Sequence, residues 1–249
     1  RGKNGKRVTN AALNRWLTLV TTVINFSTKQ QRIPYNPSVG FQKLREDKKG
    51  IDFWTLEEAM SFLKFAHEKY PKSSPKRWVY VVYLLAINTG LRAGEIWGLQ
   101  KKDLDRGDCI KIERQWAESH RIFMPPKSRK SRMAPCNSHL KAELDDLISS
   151  RGVGKQHNTL FYNTNGAPFN HANFLHRYFR RDVEELGIRK IRFHDLRHTA
   201  LTLMVSKGID LRTVQEIAGH SDIKTTIQYV HLLGENVRKA SSVFSVNPT

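Results

Sequence analysis

Apolar residues recur along this chain with two periods, and the change from one to the other organises it. Between residues 8 and 30, Leu13, Trp16, Leu17, Val20 and Ile24 fall on one face of a 3.6-residue period, with Thr9 or Asn10 placed to cap the helix. Pro34 and Pro37 end that element, and the polar stretch from Gln42 to Gly50, rich in Lys and Glu, reads as a linker. Thr55-Leu-Glu-Glu58 has the form of a capping box, so a helix carrying Phe62, Leu63 and Ala66 is predicted to begin there. Trp78 to Ile87 is almost continuously apolar and stops at Asn88-Thr-Gly90, the pattern of a buried helix with a glycine C-cap. A short helix is predicted next, over Arg92 to Leu99.

Between residues 104 and 136 the period falls to two, with Ile110 and Ile112 alternating with Lys111 and Glu113. Further strands around Arg121–Met124 and Arg132–Cys136 would complete a small antiparallel sheet whose turn holds PPKSRKS. Helices are predicted after it at about 138–150, 170–186, 194–207, 211–218 and 222–232, and Gly187, Gly208 and Gly219 fall at C-cap positions. No internal repeat interrupts this order. The fold class is therefore mainly α with one small antiparallel β-sheet.

Composition sharpens the picture. With 249 residues, 39% hydrophobic and 26% charged, the chain can bury one or two cores, and no apolar run approaches the ~20 residues that cross a bilayer. The start, RGKNGKRVT, is basic but has no apolar segment behind it, so it is not a secretory signal. Because the first residue is Arg rather than Met, the sequence is expected to begin inside a longer polypeptide. Lys and Arg number 42 against 23 Asp and Glu, a net charge of +19 that attracts polyanions, with nucleic acid the leading partner. These cations are spread along the chain rather than gathered on one amphipathic helix, which argues against a membrane surface. Cys109 and Cys136 show no CxxC or zinc-ligand spacing and read as two reduced thiols in a cytosolic protein.

The candidate chemistry lies in TGLRAGE and in HDLRHTALTLMVSKGIDLRTVQEIAGHSDIKTTIQYVHL. His194 and His198 stand at i and i+4 beside Asp195, superficially the HExxH zinc pattern, with Glu216 as a third ligand. Asp is one methylene shorter than the general-base Glu of that motif, Arg197 would set a cation beside the metal, and a protease has no use for +19. Leu211–Val230 also has the form of a helix-turn-helix with Gly219 at its turn, so a DNA-binding regulator is a second reading. A regulator has no need of Arg92, Lys127 and Tyr229 together.

The order Arg92, Lys127, His194, Arg197, His220, Tyr229, with the last two nine residues apart, resembles the tyrosine recombinases, the phage-integrase family of DNA strand-exchange enzymes. The resemblance runs from about Phe53 to Leu233 and implies a recombinase/type IB topoisomerase-like catalytic domain over 51–249. Residues 1–50 would be the C-terminal part of a helical core-binding domain plus linker. It also implies site-specific cleavage and rejoining of DNA through a covalent 3′-phosphotyrosine at Tyr229, for integration or excision of a mobile element. A type IB topoisomerase, with a similar site, is the alternative within this chemistry. Arg92 and Arg197 would grip the non-bridging phosphate oxygens, as a planar guanidinium does better than an ammonium. His194 and His220 would stabilise charge and accept the proton of Tyr229, and Lys127 would be the general acid for the 5′-oxygen. Glu95 matches the acidic position that orients the first arginine and a neighbouring histidine, and His198 would face core or backbone. Arg121, Arg129, Lys130 and Arg132, in a stretch with no acidic residue, are expected to contact DNA phosphates. The covalent link conserves the energy of the broken bond, so neither metal nor nucleotide cofactor is implied. The expected partners are double-stranded DNA, three further copies of the chain and accessory DNA-bending proteins, in the bacterial cytoplasm at the nucleoid. Val237, Ala240 and Phe244 repeat at i, i+3 and i+7, so residues 235–246 are expected to form a tail helix that docks on a neighbouring subunit.

Overall fold

Thr9 caps the first helix, α1 (Asn10–Lys29), its hydroxyl accepting from the Ala12 N–H. The computed structural model describes residues 8–46, 50–104 and 107–233, and the chain divides into two units, residues 1–50 and 51–249. In the first unit the buried residue of α1 is polar. Asn14 donates to the Leu44 carbonyl and the Glu46 carboxylate and accepts from the Leu44 N–H, which folds that segment back on the helix. Trp16 and Val20, on the apolar face read from the sequence, are 58% and 52% exposed, because a single helix has nothing of its own to cover that stripe.

The second unit runs α2 (Leu56–Lys69), α3 (Arg77–Thr89), α4 (Ala93–Trp97), then β1 (Cys109–Ile112), β2 (Gln115–Ala117), β3 (Ile122–Met124) and β4 (Arg132–Pro135). It continues with α5 (Ser138–Arg151), α6 (His171–Phe174), α7 (Arg180–Leu186), α8 (Asp195–Ser206), α9 (Leu211–Ala218) and α10 (Lys224–Leu233). One π turn, Leu175–Phe179, joins α6 to α7, so the stretch is continuous as predicted. The capping box on α2 forms, with Thr55 and Glu58 exchanging hydrogen bonds of 2.7 and 3.2 Å.

The sheet differs from expectation. The strands nest as two separate antiparallel ladders, β1 with β4 and β2 with β3, rather than as one sheet. Glu113 and Arg114 part β1 from β2, and Arg114 turns aside to pair with buried Asp103. PPKSRKS therefore links the two ladders instead of closing one hairpin.

Helix α3 is the centre of the unit, buried at all but one of its positions and packed against α2, α5 and α8. Trp54, Phe62, Tyr83, Phe174, Phe179 and Phe193 form the aromatic core around it, each contributing roughly 1.5–3 kcal/mol by burial. The Asp182 carboxylate accepts from Tyr83 at 2.6 Å, Tyr70 at 3.0 Å and Lys69 at 2.8 Å, fixing α7 to α2 and α3. A smaller cluster of Leu201, Val214, Ala218 and Tyr229 fills the space where α8, α9 and α10 meet. Arg92, Arg197, His220 and Tyr229, singled out from the sequence, gather around this cluster.

Candidate active site

Arg92 is the N-cap of α4, and Glu95 one turn on locks it. The Glu95 carboxylate accepts from the Arg92 N–H at 2.8 Å and from its Nη1 at 3.2 Å. Glu95 is fully buried, and its other partner is Arg132 of β4, whose Nη1 and Nη2 donate to Oε1 and Oε2 at 2.8 and 2.7 Å. Burial alone would raise the Glu95 carboxyl, but Arg132 and then Arg92 outweigh it and hold the group below its usual range. Arg132 also donates from Nε to the Ile217 carbonyl at 2.7 Å, so all three of its guanidinium nitrogens are committed. Its side chain is buried, unlike those of Arg121, Arg129 and Lys130, and it ties α4 and α9 to β4.

Arg197, on α8, enters the same pocket from the other side. It is buried and donates to the Gly90 carbonyl at 2.7 Å, the Ala218 carbonyl at 2.5 Å and His220 Nε2 at 3.0 Å. Arg92 Nη1 donates to the same Ala218 carbonyl at 3.4 Å, so the last carbonyl of α9, at the negative end of the helix, holds both guanidiniums. Burial, and then the nearby Arg92 cation, push the Arg197 guanidinium down to about 9. Two glycines make this approach possible. Gly90 ends α3 at φ +64°, which aims its carbonyl at Arg197, and Gly219 ends α9 at φ +63°, where an added Cβ would lie 3.0 Å from Arg132 Cδ.

His220 follows directly. Arg197 can only donate, so His220 Nε2 is the acceptor and Nδ1–H points to Thr226 Oγ1 at 3.0 Å, which fixes a neutral ring. Burial, then Arg197 and Arg92, lower this imidazole to about 3. His194 is exposed at the head of α8, and desolvation of its packed edge, then His198 and Arg197, lower it to about 4.

Tyr229 is 1% exposed, with its ring parallel to that of His220 at 6.2 Å between centroids. Burial raises its hydroxyl pKa, and Arg197 and Arg92 oppose the rise. The hydroxyl lies 2.8 Å from Nδ1 of His198. His198 thus faces Tyr229 rather than core or backbone. The signal in the sequence was its spacing of i+4 from His194, which sets both rings on one side of α8, 5.2 Å apart.

Lys127, Arg121, Arg129 and Lys130 are exposed on β3's flanks and the β3–β4 connection, and Lys127 makes no hydrogen bond or ion pair among the described residues. Arg121 and Arg129 adopt positive φ, +53° and +57°, at the turns that present them. The zinc reading of HDLRH finds no matching geometry: Asp195 is turned onto Arg192, whose N–H and Nη2 each donate to it at 2.7 Å. Among the described residues no group of three or more His, Cys, Asp or Glu could hold a metal ion. No described helix is long and apolar enough to cross a membrane.

The phage integrase family model matches residues 53–235. Among characterised proteins, the ICEBs1 integrase of Bacillus subtilis is 26% identical over 240 residues, which cover 90% of this chain and 62% of that protein. A tyrosine recombinase XerC of Lactobacillus delbrueckii is 25% identical over 232 residues, covering 92% of this chain and 74% of that one. The fold is similar to that of the Tn1549 transposon integrase solved in complex with a circular intermediate DNA, with a TM-score of 0.74 at 23% identity over 89% of this chain and 75% of that one. With the family match spanning most of its length, the chain belongs to the phage integrase family, the tyrosine recombinases.

Proposed function

We propose that this protein is a site-specific DNA recombinase that cleaves and rejoins strands through a 3′-phosphotyrosine at Tyr229, integrating or excising a mobile element. One observation carries the reading: Arg92 and Arg197 meet at a single carbonyl, that of Ala218, beside the Tyr229–His220 stack. The buried guanidinium of Arg197 and the partly exposed one of Arg92 repel, and a phosphodiester oxygen between them relieves the repulsion where charge develops in the transition state. Arg197 keeps two of its five N–H groups for this purpose, and Arg92 keeps Nε and Nη2.

Tyr229 attacks phosphorus, and Lys127, exposed on its connection, protonates the departing 5′-oxygen. His194 stabilises the phosphorane-like charge, His220 acts on it through Arg197, whose Nη2 it holds, and Glu95 positions Arg92. The exchange of one phosphodiester for another conserves bond energy, so the reaction balances without a nucleotide cofactor. Arg121, Arg129 and Lys130 contact the duplex backbone. Residues 1–50 belong to a helical domain that clamps the DNA, and four subunits, with accessory DNA-bending proteins, assemble on the recombining sites in the bacterial cytoplasm.

The test is covalent capture. The protein is incubated in EDTA with a library of nicked junction DNAs and run on denaturing gels. A DNA–protein adduct is expected with wild type and absent with Tyr229→Phe. A non-catalytic regulator leaves no adduct, and an adduct surviving in Tyr229→Phe rejects Tyr229 as nucleophile.

A further inference from the structure

Three histidines surround the nucleophile, and their contacts divide them. His220 has its lone pair engaged by Arg197 and its N–H by Thr226. His194 makes no hydrogen bond to the Tyr229 hydroxyl among the described residues. His198 touches it, with Nδ1 at 2.8 Å from Oη and the two rings tilted by 39° at 5.7 Å between centroids. That distance is within the range for direct proton transfer. The contact is also shielded: Tyr229 is 1% exposed and packs on Leu201, Val214 and Ala218, so bulk water does not compete for the phenolic proton.

The groups facing His198 favour a neutral ring. Burial, with Arg197 on its own helix and Arg192 before it, lowers its pKa, and Asp195 opposes them only in part. His194 lies on the same side, and Tyr229 and His220 approach from α10 and the turn before it. Burial keeps the Tyr229 hydroxyl protonated. With the ring proton of His198 on Nε2, Nδ1 is the imine nitrogen and accepts the phenolic O–H of Tyr229.

We propose that His198 is the proton acceptor for Tyr229. As Oη bonds to phosphorus and the P–O5′ bond breaks, the phenolic proton passes to Nδ1. The leaving 5′-oxygen takes its proton from the general acid at the other end of the reaction. In rejoining, the 5′-hydroxyl returns its proton to the conjugate base of that acid as it attacks the phosphotyrosine, and Nδ1–H returns the other proton to Oη. The inference rests on the reading of Tyr229 as the nucleophile.

The test uses single-turnover cleavage of a nicked duplex already captured by wild-type protein, with DNA saturating. His198→Asn sets an amide near the place of Nδ1, keeping a hydrogen-bond acceptor for Tyr229 that cannot take the proton. His198→Gln sets its amide farther out, near the place of Nε2. Both variants are expected to bind DNA like wild type and to cleave roughly 10²-fold or more slowly. A second substrate, with sulfur in place of the scissile 5′-oxygen, needs no proton at the leaving group. It is expected to restore Lys127→Ala but not His198→Asn, which separates His198 from the leaving-group acid. The fall in wild-type cleavage at acid pH, where a protonated His198 cannot accept the phenolic proton, is expected to be missing in His198→Asn, a difference that a merely structural role would not produce. Cleavage by His198→Asn within threefold of wild type, or its restoration by the sulfur substrate, overturns the proposal. An adduct persisting in Tyr229→Phe sinks the parent reading, whereas a dead Tyr229→Phe beside a fully active His198→Asn sinks only the role of His198.

Discussion

Arg132 and Glu95 form a two-pronged ion pair in the interior, with both terminal nitrogens of the one on both oxygens of the other at 2.7–2.8 Å. The pair joins β4 to α4, and because Glu95 also holds the Arg92 backbone and side chain, Arg132 supports Arg92 at one remove. Breaking it leaves a buried carboxylate with only the partly exposed Arg92 for a partner.

Arg132→Ala is therefore expected to lower stability by about 3 kcal/mol, the range for removing one partner of a buried pair. Urea denaturation measures this directly. DNA binding should keep its salt dependence, since no phosphate contact is lost. A variant that folds as stably as wild type but loses about one unit of salt slope would return Arg132 to the DNA interface.

Arg92→Lys and Arg197→Lys should each slow covalent cleavage by roughly 10²-fold or more, by comparison with the loss of one preorganised donor. Lysine cannot bridge Ala218 and a phosphate oxygen in one planar fork. DNA affinity should fall far less, because many other cations meet the backbone. Parallel losses in filter-binding and cleavage assays would mean that these arginines only anchor DNA.

Local rules made much of this fold legible. The Thr55–Glu58 box, the apolar run of α3 and the glycine at its end each depend on neighbours within four residues. The site was legible as a set of residue types, not as a set of contacts. Nothing near Arg132 in sequence announces that Glu95, 37 residues earlier, will bury it. His198 carried the i+4 spacing, but whether its ring meets core or nucleophile depends on how α10 lies across α8. The split of the strands into two ladders likewise depends on pairing between residues far apart in sequence, such as Cys109 with Pro135. On α1 the apolar face was read correctly as apolar, and a face without a cover stays exposed.

The stripe of Val237, Ala240 and Phe244 lies outside the described residues, and we propose that it docks on a neighbouring subunit. Ending the chain after Gly234 should leave binding to a single site intact and abolish the four-subunit complex. Sedimentation of the protein–DNA assemblies distinguishes these states. Unchanged tetramers in the shortened protein would make the tail an element of its own domain.

The last prediction concerns His220 and pH. In the folded protein its imidazole titrates at about 3, against an ordinary value of 6.5, because a proton on Nε2 would displace the Arg197 hydrogen bond and add a cation beside Arg197 and Arg92. As pH falls below the ordinary value, the unfolded chain takes up that proton and the folded chain resists it. The stability that His220 contributes is therefore fully present above about pH 6.5 and declines as pH falls toward about 3. Comparison with His220→Gln isolates this from His194, His198 and the carboxylates, which titrate in both proteins. Urea midpoints at pH 8, 6.5 and 5 should show the gap between wild type and variant narrowing as pH drops. A gap that widens instead would mean that the folded protein prefers a protonated His220, and the neutral ring fixed by Arg197 and Thr226 would be the wrong state.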